Sequence, residues 1–146
     1  MINWVLRGVI LLWAAFFALL GVRGILNPGV YADTFGLVVD GAATNTIRAD
    51  LSSFFLVSAG AAALGALVPG WLRALLVPAA LYGTALTGRL FGMASGDVVS
   101  GGIAQAMIIE ALTVALMLGS WWILSRPAVQ PMIGVPDAVD APPPVH

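Results

Sequence analysis

Apolar residues fill four long stretches of this chain, and polar residues gather where the stretches meet. The runs are roughly Trp4–Leu26, Asn45–Val68, Trp71–Ala94 and Ile103–Leu124. A transmembrane helix needs about 20 mostly apolar residues, and each run supplies them. Asn27-Pro28-Gly29 breaks the first run and Pro69-Gly70 closes the second. A signal peptide is the rival reading of the first run. Arg23 after its apolar core, and the lack of an A-x-A site, argue against it.

Two segments fall outside the runs. Val30–Val39 (VYADTFGLVV) is too short to cross a bilayer. Val30, Tyr31, Phe35 and Val38 share one helical face, which predicts an interfacial or re-entrant piece. From Ser125 the chain reads SRPAVQPMIGVPDAVDAPPPVH and holds six of the nine prolines, so a tail without packed structure is expected there. The expected fold class is therefore all-α. It is a four-transmembrane-helix bundle over residues 1–124, with a short interfacial segment between the first two spans and a flexible Pro-rich tail over 125–146.

Composition supports this reading. The chain is 60% hydrophobic and only 9% charged, with a mean hydropathy of +1.00. Soluble domains carry roughly 25% charged residues, so this one cannot cover its surface with polar groups. All six basic residues are arginines and the net charge is −1, which argues against nucleic acid as a partner. With no cysteine and one histidine, the terminal His146, no thiol or imidazole chemistry is expected, and no metal or cofactor.

An even number of spans puts both termini on one side. Arg7, Arg73 and Arg126 lie there with Trp4, Trp71, Trp121 and Trp122, as an interfacial belt would. Asp33, Asp40 and Asp97 lie in the opposite loops, which favours cytoplasmic termini. Small residues at Ala59–Ala66 (AGAAALGA), and Thr84, Gly88 and Gly92 at steps of four, predict faces where helices touch. Such faces also suit a homo-oligomer or a partner membrane protein.

Helix rise then places the charges. At ~1.5 Å per residue, Asp50 and Arg89 lie about five residues inside the face opposite the termini, and Glu110 lies ~10 Å deep. Ionisable groups in hydrocarbon are costly and usually face a partner or a wet cavity. On the second run, Asn45, Arg48 and Ser52 share one stripe and Thr46, Asp50 and Ser53 another. Arg48 and Asp50 are ~160–200° apart, so only one of them can look into a shared cavity. On the fourth run, Met107, Glu110, Thr113, Val114 and Met117 form an apolar wall with one acid, which suits a greasy ligand better than an ion path.

The order of these motifs is also informative. Asn27-Pro28, then Asn45, Ile47, Arg48 and Ala49, then Gly88-Arg89-Leu90, Gly96-Asp97 and Glu110 resemble a family of small bacterial four-helix membrane proteins known only as a domain of unknown function. The resemblance covers about Leu20 to Ser120 and implies a fold and a bacterial inner membrane location but no reaction. This chain departs from that family at Thr46, Ser52 and Ser53, and adds the acid Asp50.

The function expected is intramembrane acid–base chemistry on a lipophilic, isoprenoid- or sterol-like substrate. Burial favours the protonated form of a carboxyl group. Such an acid could protonate an alkene or epoxide and set off isomerisation or cyclisation. Asp50 and Glu110 are the catalytic candidates. Arg48, Arg89, Asn45, Ser52, Ser53, Met107 and Thr113 are the binding and orienting ones, and Trp13, Phe16, Phe17, Phe54, Phe55 and Phe91 offer aromatic faces. The alternatives are a non-catalytic lipid-binding or accessory subunit, and a proton-coupled carrier.

Overall fold

The Asn27-Pro28-Gly29 breaker does what its composition dictates. In the computed structural model, which describes residues 2–126, helix α1 (Ile2–Leu26) stops at Asn27, whose side-chain oxygen accepts the Gly29 N–H at 3.1 Å. Helices α2 (Gly29–Phe35), α3 (Gly41–Leu67), α4 (Leu76–Ala94) and α5 (Gly101–Leu124) follow, with one 3-10 turn, Leu72–Leu75, leading into α4. No strand occurs among the described residues. Four segments, with the 3-10 turn counted into the third, are long and apolar enough to cross a membrane. The chain is thus an all-α integral membrane protein. The tail expectation for residues 127–146 lies outside the described residues.

The seam between α1 and α3 forms the frame. Buried positions on α1 are Ile10, Ala14, Phe17, Gly21 and Gly24, a repeat of four, three, four, three. That spacing keeps one stripe facing a partner helix. The partner stripe on α3 runs through Ser52, Phe55, Ala59, Ala62 and Ala66. Small residues here let the backbones approach, as in other lipid-embedded packings. At the terminal end of the seam, the Arg7 guanidinium donates to the Ala66 carbonyl, one of the last of α3. Gly65 also packs there against Leu75, leaving no room for a side chain.

α4 packs chiefly on α5. Pro78 sits in the first turn of α4, where its missing N–H costs no helical hydrogen bond. The expected contact face at Thr84, Gly88 and Gly92 is corrected. Thr84 and Gly88 are exposed, and α4 buries Pro78, Ala79 and Tyr82 instead. α4 ends in a Schellman turn, with the Asp97 N–H bonded to the Gly92 carbonyl at 3.0 Å. Gly96 supplies the positive φ of 93° that this turn requires. Ser100 caps α5 by accepting the Ile103 N–H.

The short segment after α1 is helical and folds back onto the bundle. Its Tyr31 is fully buried, and its hydroxyl meets that of Ser52 at 3.0 Å. Gly24 makes this possible, because a Cβ there would overlap the Tyr31 hydroxyl. Val38, expected on the same face, is instead 80% exposed beyond the end of α2. Burial pushes the Tyr31 phenol above its ordinary pKa, and the Ser52 hydrogen bond opposes this in part.

Candidate functional site

All five helices contribute to a cavity of about 350 Å³ in the half of the bundle away from the termini. Small residues make the space: Ala85 on α4, and Gly102 and Ala106 on α5. Aromatic side chains make the walls. Phe17 lies at their centre, 4.5 Å from Trp13, 5.6 Å from Phe55 and 5.4 Å from Tyr82, between ring centroids. Phe54 approaches Tyr82 to 4.8 Å, and Phe35 of α2 stacks on Phe55 at 6.4 Å. Phe16, Ile109 and Gln105 line the cavity but are themselves exposed, so its rim reaches the outer surface of α1 and α5.

One corner of this apolar space is polar. Helical spacing sets it: Tyr82, Ala85 and Arg89 share a stripe on α4, as do Gly102, Ala106 and Glu110 on α5. Arg89 Nε donates to Glu110 Oε1 at 2.8 Å. Glu110 is only 5% exposed, and its Oε2 is buried without a hydrogen-bond partner among the described residues. The Tyr82 hydroxyl, on the same cavity wall, is buried and unpartnered in the same way. Buried polar atoms are nearly always hydrogen-bonded, so two such atoms in residues that line one cavity are unusual; both atoms are covered by the surrounding protein rather than open to the space. Ser120 Oγ is a third orphan, but it lies outside the cavity lining.

Arg89 also borders a second cavity, of about 380 Å³, with Gly88, Gly92 and Asp97 around the α4–α5 turn. The two cavities share Ala85 and Arg89 as a common wall.

The structure brings together two of the residues singled out from sequence, Arg89 and Glu110. The expected convergence of Arg48 or Asp50 with them is corrected. Asn45, Arg48, Asp50 and Ser53 are all exposed on α3 and line neither cavity. The inward phase of α3 is set by Ser52 and Phe55, and Asp50 points ~160° away from Ser52. Arg48 shares the Ser52 stripe but sits one turn nearer the helix start. Ser52 is spent on Tyr31, and Thr113 accepts the Trp13 indole N–H at 3.0 Å, so both serve the packing. Met107 is half-buried and lines neither cavity.

Of the aromatic candidates, Phe16, Phe17, Phe54 and Phe55 line the cavity, Trp13 backs it, and Phe91 is 74% exposed. Sequence reasoning missed Tyr82, Phe35 and Gln105. Tyr82 had a readable signal, since it shares the stripe of Arg89. Phe35 had none, because only the fold-back of α2 brings it there.

No family model, no curated protein and no solved structure matches this chain. The resemblance to the small four-helix family therefore rests on its motif residues alone, and the function is argued from the geometry of this cavity.

Proposed function

We propose that this protein is an intramembrane acid–base catalyst acting on a lipophilic substrate held in the aromatic cavity, with Glu110 as the proton-transferring group. The observation that carries this is the split of the Glu110 carboxylate in a residue that lines the cavity: one oxygen is fixed by Arg89, and the other is buried and has no partner among the described residues. With the pair charged, Oε2 is an acceptor only. Its first act is therefore to take a proton from the substrate, which differs from the protonated acid expected from burial alone. Returning that proton elsewhere on the substrate completes an isomerisation or cyclisation without a co-reactant. Arg89 positions the carboxylate. The aromatic walls exclude water from the cavity. Asp50 takes no part. In this reading the termini face the cytoplasm, because the opposite loops carry acids, and the bacterial inner membrane is taken from the family resemblance alone.

The test is turnover by purified protein given isoprenoid epoxides and isoprenoid alcohols. Glu110→Gln should lower turnover by about 10²-fold or more, while Asp50→Asn leaves it unchanged. Undiminished turnover in Glu110→Gln would refute the assignment. A second reading, a non-catalytic lipid binder, draws on the fact that a single carboxylate serves the cavity. It predicts saturable binding with no turnover of any compound.

A further inference from the structure

The polar corner of the cavity is specific enough to select a class of ligand. We infer that the cavity takes a neutral, monohydroxylated lipophile of roughly 14 non-hydrogen atoms, its hydroxyl donating to Glu110 Oε2 and accepting from Tyr82 once a turn of these two lining side chains uncovers the atoms; this rests on the reading of the cavity as a substrate site.

The size follows from volume. A cavity of about 150 Å³ holds benzene, and at that ratio about 350 Å³ holds roughly 14 non-hydrogen atoms. A sterol exceeds this and would have to protrude past the rim. An isoprenoid alcohol between geraniol and farnesol fits.

The head group follows from what the two orphan atoms lack. Glu110 Oε2 needs a donor, and the Tyr82 hydroxyl can donate or accept. An ether or ketone accepts only, so it would leave Oε2 unsatisfied. A carboxylate or phosphate would meet the Glu110 charge in an apolar space, where like charges repel strongly. An ammonium would satisfy Oε2, but the Arg89 guanidinium already sits 2.8 Å from the other oxygen. Its charge would leave the site with a net positive charge away from water. Of these head groups, only a hydroxyl gives one proton, takes one, and adds no charge. The proton it presents to Oε2 is then the one that Glu110 is placed to take.

The experiment uses the full chain in detergent micelles with radiolabelled farnesol as probe. Farnesyl methyl ether, farnesylamine and farnesoic acid, on the same hydrocarbon, serve as competitors. Farnesol should bind saturably and at least tenfold more tightly than each of the three. Tyr82→Phe should cut this preference several-fold. Arg89→Met combined with Glu110→Met, which removes both charges together, should reduce it to within about threefold, the scale of a neutral contact. Equal affinity for alcohol and ether, or a preference for the amine or the acid, overturns the hydroxyl assignment while leaving a lipophile site in place. Failure of every member of the series to bind overturns the cavity reading beneath it. If the double variant does not fold, the head-group series on the unaltered protein still decides.

Discussion

Arg89 and Glu110 join α4 to α5 through a single 2.8 Å hydrogen bond, made by Nε to one carboxylate oxygen. The Arg89 side chain is 30% exposed and that of Glu110 is 7% exposed. The acid therefore depends on the pair more than the base does. Removing only the guanidinium, as in Arg89→Gln, leaves a buried carboxylate uncompensated. A fully buried pair would lose more; here partial exposure of the arginine brings the expected loss to about 2 kcal/mol. Adding Glu110→Gln should restore most of it. Unfolding in mixed micelles gives both numbers, and a double variant as weak as the single one would contradict the account.

Asp50 supplies a contrast. It is exposed on α3 and lines neither cavity. Asp50→Asn should change stability by no more than about 0.5 kcal/mol and leave farnesol binding unaltered. A large loss of binding on this substitution would return Asp50 to the site.

Tyr31 makes α2 sensitive to alkaline pH. Burial raises its phenol above the ordinary value of 10.0, so the docked state favours the neutral form. The stability this contributes is intact below about pH 10 and is lost as pH rises through the elevated value. With no lysine and no cysteine, few other side chains titrate in that window. The melting temperature should fall above pH 10 less steeply in Tyr31→Phe than in the unaltered protein. Equal slopes would show that Tyr31 ionisation does not control docking.

Gly24→Ala tests the same docking by sterics. Its methyl would overlap the Tyr31 hydroxyl, so α2 must shift. Protease cleavage in the 36–40 connection should accelerate. Tyr31→Phe should relieve part of the clash, which makes the pair non-additive.

Thr113→Val removes the acceptor of the Trp13 indole N–H, a bond between residues on α1 and α5. Because Trp13 is only half-buried, the expected loss is about 1 kcal/mol, read from thermal unfolding.

The spans were legible because length and breakers decide them. Each spanning helix begins and ends within a few residues of its apolar run. Arg89 and Glu110 were legible as groups sent into the same half of the bundle, but helix rise put Arg89 level with Asp50 and so did not choose its partner. Arg48 and Asp50 were not resolved in the same way. Periodicity separated their faces but could not say which face looks inward. That choice is made by neighbours far apart in sequence, chiefly Tyr31 on Ser52 and Phe17 on Phe55. Gly88 illustrates the same limit: a step of four marked it as a contact, yet a Cβ there meets nothing within 4 Å.

The Arg7 clasp on the Ala66 carbonyl has a mechanical corollary. It rivets α1 to α3 at the end bearing the termini, by a charge-assisted bond. Toward the far end α2 ties in through a bond between neutral hydroxyls, Tyr31 to Ser52. When the seam loosens, it unzips from Leu20 and Leu51 toward Arg7, and amide exchange should register that gradient.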